Sequence, residues 1–211
     1  MTRQNLAAPE LAAIDVKGVT RQAFIVRGTL AAGAVYGLSS VGPFVRSALA
    51  EEGGDLEILN FALTLEYLEV AFYDRALRQV RGLPGAVRSL AEEIGANETV
   101  HVKALIGTIK KLGGRPVQAP GVDFGDAFSS PAAFLKLAQT FEDTGVSAYN
   151  GAAPAISSKE VLGAAGSIVQ VEARHAAAIR GLNGEQPAEG AFDEALDMQE
   201  VLTAVQPFVM S

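Results

Sequence analysis

The segment QVEARHAAAI, residues 170–179, places a glutamate and a histidine three residues apart in an alanine-rich stretch that favours a helix. Glu172 and His175 therefore share one helix face, because residues three or four positions apart are neighbours on a helix surface. A helix that only packs would not carry a carboxylate and an imidazole on its apolar side, since burying unpaired polar groups is unfavourable. The segment therefore predicts a helix whose inner face does more than pack.

The glutamate–histidine pair occurs a second time, in the segment NETVHV at residues 97–102. Glu98 and His101 have the same spacing, so both of the chain's two histidines follow a glutamate by three residues. Two other predicted helices carry a glutamate followed seven residues later by a tyrosine, two turns along the same face. These are Glu66 and Tyr73 in EYLEVAFY, and Glu142 and Tyr149 in EDTGVSAY. The chain thus contains two copies of one pattern, E-x6-Y followed by E-x-x-H.

Apolar residues recur at helical spacing around each of these pairs and predict four long helices. The first has Asp55 as its N-cap and ends before Gly82, and the second runs from about Gly85 to Leu112. Residues 113–130 (GGRPVQAPGVDFGDAFSS) contain too much glycine and proline for a helix and predict a long connection.

Capping residues mark the other two long helices. The third has Ser130 at its N-cap and Pro131 at its first position, and it ends near the segment NGAAP. The fourth begins at the segment SSKE, where Ser157 and Glu160 fit a capping box, and it ends near RGLNG.

A short helix is also predicted near the C-terminus, where Asp197 and Glu200 fit another capping box. No segment alternates as a strand would, so the predicted fold class is all-α. The order short turn, long crossover, short turn predicts a four-helix bundle of two antiparallel helix pairs. We expect an export leader or N-terminal hydrophobic anchor over residues 1–50, the bundle over 51–185, and a tail with the short helix over 186–211.

The repeated residues also fall at matching heights in the predicted bundle. In an antiparallel helix pair, residues at one height lie symmetrically about the turn. The midpoint of positions 66 and 98 is 82, and that of 142 and 172 is 157, and both midpoints fall at predicted turns. The two hairpins should therefore gather four glutamates and two histidines at one level of the core.

Such a cluster calls for a counter-charge. Buried carboxylates repel one another and lose their hydration, so either several are protonated or divalent cations lie among them. Four carboxylates and two imidazoles are a ligand set for two metal ions bridged by carboxylates.

Composition excludes several other functions. The net charge of −7 argues against nucleic acid, which requires a basic surface. The chain has no cysteine, which excludes disulfides, zinc–thiolate sites and iron–sulfur clusters.

The N-terminal fifty residues have the layout of an export signal. Arg21 and Arg27 precede an uncharged run at residues 28–45, and a small-residue segment, ALA at 48–50, follows before the acidic Glu51. The start TRQAF resembles a twin-arginine leader in part.

Gln22 stands where a second arginine would be, and the apolar run is long for a leader but marginal for a transmembrane helix, so three interpretations of this segment stay open. They are a cleaved leader, a retained anchor that contacts the membrane through residues 22–45, and a hydrophobic helix that packs on protein. The first two keep the basic residues in the cytoplasm and place the rest of the chain outside, in the periplasm or cell envelope.

The metal-type pattern resembles the ferritin-like superfamily over about residues 55–182. The N-terminal segment, the stretch LNFALTLEYLEVAFY at 59–73 and the tail FDEALDMQEVLTAV at 192–205 resemble its exported, desiccation-related branch. The resemblance implies a ferritin-like bundle with two iron or two manganese ions as cofactors. Whether the chain forms a homo-oligomer or a larger assembly stays open, because the sequence does not identify the interfaces.

By this resemblance the metal ligands would be Glu66, Glu98, His101, Glu142, Glu172 and His175. Glu98 and Glu172 would bridge the two metals. Tyr73 and Tyr149 would hydrogen-bond to the ligands from outside the metal sphere.

Glu69 lies within one turn of Glu66 and could therefore face the same cluster. Its counterpart in the repeat is Gly145, which argues against a ligand role. We therefore expect Glu69 to contact solvent or the crossover.

Two functions of different classes fit these residues. One is an oxidoreductase whose two metals react with O2 or peroxide, either oxidising iron or consuming peroxide. The other is a structural or stress-protection protein that keeps the fold and binds metal weakly or not at all. The number of redox metals bound per chain separates the two.

Overall fold

The computed structural model describes residues 54–188 and 190–210 and shows an all-α fold there, as the sequence predicts. The five helices in this part are α1 (Asp55–Gln79), α2 (Gly85–Lys111), α3 (Pro131–Ala152), α4 (Lys159–Leu182) and α5 (Met198–Val205). The leader or anchor expected over residues 1–50, with its membrane contact at 22–45, lies outside the described residues. None of the helices in the described part is long and apolar enough to cross a membrane.

The four long helices form two hairpins joined by the crossover. α1 packs most extensively against α2, and α3 against α4, so the predicted pairing is confirmed. The turn between α1 and α2 contains Gly82 with φ of 74°. This left-handed backbone favours glycine, which has no Cβ to clash.

Two of the predicted helix starts are confirmed. Ser130 caps α3 by accepting a hydrogen bond from the backbone N–H of Ala133 at 3.1 Å, and Pro131 is the first helical residue. Asp197 and Glu200 form the predicted capping box of α5, in which each side chain accepts the other's backbone N–H.

The predicted starts of α1 and α4 are each wrong by one residue. Gly54 is the N-cap of α1, and the N-cap of α4 is Ser158, whose hydroxyl accepts from the N–H of Val161. Asp55 instead accepts the backbone N–H groups of Ser157 and Ser158 at 2.7 and 2.8 Å. Local capping rules miss this contact because it joins residues about one hundred positions apart.

The bundle core differs between its two ends. The aromatic end, where α1 finishes and α3 begins, is filled by Phe72, Phe124, Phe128, Phe134 and Phe141. Three apolar residues of α5 also pack into this cluster, namely Val201, Leu202 and Val205. The aliphatic end, where α1 begins and α3 finishes, is filled by Leu59, Leu63, Leu105, Ile109, Val161 and Ile168.

We predict that replacing Asp55 by alanine destabilises the bundle, because two backbone N–H groups of the α3–α4 loop lose a charged acceptor. The expected loss is about 1–2 kcal/mol of unfolding free energy, or roughly 2–6 °C in melting temperature. Thermal unfolding followed by circular dichroism measures it. Asp74→Ala is the matched control, because Asp74 contacts only the exposed Arg78 one turn away; equal losses in both variants would contradict the prediction.

Candidate metal centre

The structure brings all six predicted side chains together between the two ends of the bundle. Each of the four long helices contributes through its inward face, and no member of the set is more than 7% exposed. α1 and α3 supply one glutamate each, whereas α2 and α4 supply a glutamate–histidine pair each. The members are Glu66, Glu98, His101, Glu142, Glu172 and His175.

His101 points its Nδ1 atom into a ring of three carboxylates. This atom lies 2.8 Å from Glu98 Oε2, 2.9 Å from Glu172 Oε1 and 3.3 Å from Glu66 Oε2. These carboxylates come from three different helices, so the contacts join both hairpins at one point.

His175 occupies the corresponding position on the other side. Its Nδ1 atom lies 2.9 Å from Glu98 Oε1 and 3.4 Å from Glu142 Oε2. The two imidazole rings are 6.4 Å apart between centroids. Glu98 therefore spans the gap, with one oxygen facing each histidine.

The ligand atoms form two overlapping groups. Glu66, Glu98, His101 and Glu172 make the first group, and Glu98, Glu142, Glu172 and His175 make the second. In each group the candidate ligand atoms, one nitrogen or carboxylate oxygen from each residue, lie within 4.8 Å of one another. Glu98 and Glu172 belong to both groups, which is the arrangement that carboxylates bridging two cations require.

Burial makes three of the carboxyl groups weak acids. It raises the pKa of Glu66 and of Glu142 to about 7 and that of Glu172 to about 8, against the opposing effect of the nearby imidazoles. The neighbouring carboxylates add to the rise, because like charges disfavour further ionisation. In the metal-free protein these groups therefore hold protons near neutral pH.

The two histidines and Glu98 carry charge instead. Burial alone would lower the pKa of each imidazole, but the surrounding carboxylates raise it to about 12 for His101 and about 10 for His175. Burial would likewise raise the pKa of Glu98, yet the two imidazoles hold it at about 2. Two imidazolium ions around one carboxylate thus supply positive charge at the places where cations would bind.

Several buried atoms of the cluster have no hydrogen-bond partner beyond the contacts between imidazoles and carboxylates given above. They are Glu66 Oε2, Glu98 Oε1, Glu142 Oε2, both side-chain oxygens of Glu172, and His175 Nδ1. Two shared imidazoles leave these buried atoms incompletely satisfied, which is costly, and five oxygens with one imidazole nitrogen are suitable ligand atoms for divalent iron or manganese. The residues present therefore fit a metal centre.

Each tyrosine of the repeat binds across the bundle. The Tyr73 hydroxyl of α1 donates to Glu142 of α3, and the Tyr149 hydroxyl of α3 donates to Glu66 of α1 at 2.5 Å. Each thus contacts the glutamate of the opposite hairpin rather than the one seven residues earlier on its own helix. These bonds leave the second oxygen of each carboxylate facing the centre.

The expectation that Glu69 contacts solvent or the crossover is wrong. Glu69 is 4% exposed, and burial together with the charge of Glu172 raises its pKa well above the usual value. A methyl group at position 145 would lie 3.1 Å from Glu69 Oε1, so this carboxyl group occupies the space that Gly145 leaves. It adjoins the cluster but belongs to neither group of candidate ligands.

Asn97 is a neighbour of the cluster that sequence reasoning missed. Its amide nitrogen lies 3.0 Å from His175 Nε2, on the side of the ring that faces away from the carboxylates. The Asn97 amide can donate from its nitrogen to a neutral Nε2 or, after turning by 180°, accept through its oxygen the hydrogen of a protonated Nε2. The repeat gives no signal for Asn97, because Val171 stands at its counterpart.

Comparison with known proteins agrees with the fold and the cluster. The family model of the ferritin-like domain matches residues 54–185, which is more than half of the chain. The chain therefore belongs to the ferritin-like domain family. The comparison with curated proteins gives no match. The family and the buried glutamates and histidines together make the protein compatible with metal binding.

We predict opposite effects of pH on the metal-free and metal-loaded protein. Glu66, Glu142 and Glu172 keep protons in the folded state that the unfolded chain releases above a pKa of 4.5. The unfolding free energy of the metal-free protein should therefore fall from about pH 4.5 to 8, and the raised pKa values of the histidines extend the fall to higher pH. Metal should reverse this trend, because its ligands must be deprotonated.

Melting temperatures between pH 5 and 8, measured in EDTA and in excess Mn(II), test this prediction. The metal-free protein should melt at progressively lower temperature as pH rises, and Mn(II) should raise the melting temperature most at pH 8. Parallel curves with and without Mn(II) would contradict it.

Proposed function

We propose that this protein holds two iron or manganese ions in the cluster and uses them to oxidise iron or to consume O2 or peroxide. The observation that carries the proposal is the pair of overlapping ligand groups sharing Glu98 and Glu172. A site for one metal ion would not need two carboxylates that each belong to the ligand group of His101 and to the ligand group of His175. The proposed ligands are the six residues predicted from the sequence.

The donor set favours iron or manganese over other common metals. Calcium and magnesium sites are built from oxygen ligands, whereas each group here includes an imidazole. Structural zinc is usually tetrahedral and often bound by cysteine, which the chain lacks. Imidazole and carboxylate ligands together suit iron and manganese, which also supply redox chemistry.

The protein's own residues would prepare the site for this chemistry. Bound iron or manganese would supply the electrons for reduction of O2 or peroxide. Tyr73 and Tyr149 hold the outer oxygens of Glu142 and Glu66, so that the inner oxygens keep their direction. Burial on all sides excludes bulk water, which strengthens electrostatic interactions inside the bundle.

The second candidate is a structural or stress-protection function, of the kind implied by resemblance to the exported, desiccation-related branch. The ion pairs of Glu98 with both histidines support it, because they balance charge in the bundle without metal. In that case the protein keeps its fold when chelated and consumes neither O2 nor peroxide.

Metal stoichiometry tests the first proposal. Full-length protein loaded with Fe(II) without oxygen, or with Mn(II), should contain about two metal ions per chain by elemental analysis. Glu98→Gln and Glu172→Gln should each drop below one, because a shared ligand is lost from both positions. Glu93→Gln is the control, since Glu93 lies exposed on the same helix as Glu98.

Oxidant consumption completes the test. The wild-type protein and Glu93→Gln should consume O2 or peroxide when loaded, and the two shared-ligand variants should lose at least nine-tenths of that rate. Metal binding without consumption overturns the proposed reaction, and wild-type protein that binds little metal and consumes no oxidant overturns the first candidate and supports the second.

We also propose that the bundle functions outside the cytoplasmic membrane. Basic Lys17, Arg21 and Arg27 precede the apolar run, and acidic Glu51 and Glu52 follow it, which orients the N-terminal side towards the cytoplasm. Fractionation of native cells with an antibody against the bundle should find it in the periplasm or envelope. Recovery of the full-length chain solely in the soluble cytoplasm would refute this location.

A further inference from the structure

The internal repeat allows the two ends of the bundle to be compared residue by residue. Equivalent positions differ by 76 between α1 and α3, as for Glu66 and Glu142, and by 74 between α2 and α4, as for Glu98 and Glu172. Equivalent residues of the two copies lie at opposite ends of the bundle. Tyr73 lies against Phe134 at the aromatic end, whereas Tyr149 packs with the aliphatic cluster. Each residue of one end therefore has a counterpart at the other.

Three of the aromatic rings at the aromatic end come from the repeated helices. Phe72 lies between Phe134 and Phe141, with ring centroids 5.4 and 5.1 Å away. All three side chains are almost completely buried. The space beside Tyr73 is therefore occupied by protein.

The counterparts of these three residues are all smaller. Ala148 corresponds to Phe72, Ile58 to Phe134 and Leu65 to Phe141. All three line a cavity of about 40 Å³ at the aliphatic end. The cavity thus exists where the second copy of the repeat lacks the aromatic rings of the first, and it has room for a few non-hydrogen atoms.

This aliphatic cavity adjoins the candidate metal centre. Ala62, Leu105 and Ile168 line it on three helices. Each lies four residues, or about 6 Å along its helix, from a proposed ligand. Tyr149 also lines the cavity, and its hydroxyl contacts Glu66.

The cavity lining offers few hydrogen-bond partners to a polar guest. Two lining residues have hydroxyl groups, and both hydroxyls already donate within the protein, Tyr149 to Glu66 and Thr108 to the carbonyl of Ala104. The remaining lining side chains are aliphatic or aromatic. A buried water or peroxide needs two or more hydrogen-bond partners, so the lining favours an apolar molecule.

Small residues leave the cavity open to solvent. Ala104 of α2 and Ala164 of α4 line it and are exposed, so its mouth lies between these two helices. At the other end of the bundle the counterpart of Ala164 is Leu90, which packs against the aromatic cluster. At the mouth, too, the residue on the cavity side, Ala164, is smaller than its counterpart in the repeat, Leu90.

We propose that the aliphatic cavity binds a small uncharged hydrocarbon group of about four carbon atoms and holds it one helical turn from Glu66. Shape, apolar lining and an accessible mouth determine this binding, so it requires no bound metal. The cavity is a ligand site in addition to the proposed metal centre, and a molecule in it would lie beside the group that contains Glu66 and His101.

The test uses full-length protein with labelled methyl groups and n-butane as the probe, followed by NMR with and without Zn(II). Saturable shifts should appear at Leu105 and Ile168, which line the cavity. Ile179 and Ile94, their counterparts at the aromatic end, should not shift. Ethylene glycol, which has the same number of heavy atoms but is polar, should cause no saturable shift.

Two variants close the cavity in different ways. Ala148→Phe restores the ring that the repeat has at Phe72 and should abolish binding. Ala164→Leu narrows the mouth at an exposed position, and should weaken butane binding at least tenfold even if the first variant fails to fold. Ala86→Leu, the same change at an exposed residue of α2 outside the lining, should stay within twofold of wild type.

Absence of saturable shifts in the wild type, or equal affinity in Ala164→Leu and Ala86→Leu, would overturn the proposal. Metal content, measured on the same samples, separates this outcome from a failure of the metal centre. Ala164→Leu should bind as much metal as the wild type, since position 164 is two turns from the nearest proposed ligand.

Discussion

Placing four carboxyl groups in the middle of a helix bundle is the constraint on which the rest of this structure depends. Like charges at this distance in a poorly hydrated core strongly disfavour full ionisation. Two imidazoles offset part of the charge, raised pKa values remove another part, and two tyrosine hydroxyls bind one oxygen of Glu66 and of Glu142. What is left is a set of buried oxygens that share two imidazoles and have no other hydrogen-bond partner, which is an environment suited to cations.

The same constraint explains why so much could be predicted from the sequence. A site built from all four helices at one height requires its residues to lie symmetrically about the turns, and this symmetry can be found by counting positions. The E-x6-Y and E-x-x-H repeat therefore predicted which side chains meet, whereas their role as metal ligands stays a prediction. Gly145 breaks the repeat, and its effect depends on a contact between helices that the pattern does not contain. The missing side chain on α3 leaves space into which Glu69 turns from α1.

Features that depend on contacts between residues far apart in the chain could not be predicted from the sequence. Asp55 fits the local rule for an N-cap, yet its carboxylate accepts hydrogen bonds from the loop before α4. Two backbone N–H groups there bind it, whereas an N-cap position would supply only the N–H groups of its own helix. Asn97 contacts His175 without a counterpart in the repeat. The different filling of the two ends also follows from packing rather than from pattern, since phenylalanine and alanine both fit the helical periodicity.

The crossed tyrosine bonds have a consequence for how such a centre can be built at all. A single hairpin contains one glutamate, one glutamate–histidine pair and a tyrosine whose hydrogen-bond acceptor belongs to the other hairpin. Alone it is half a site, and two identical copies related by a twofold axis would complete it. The present chain has the geometry of such a symmetric dimer joined covalently through the crossover. Because the two halves are parts of one chain, their sequences can differ. One half can therefore have aromatic rings that fill its core, while the other has smaller residues that leave a cavity.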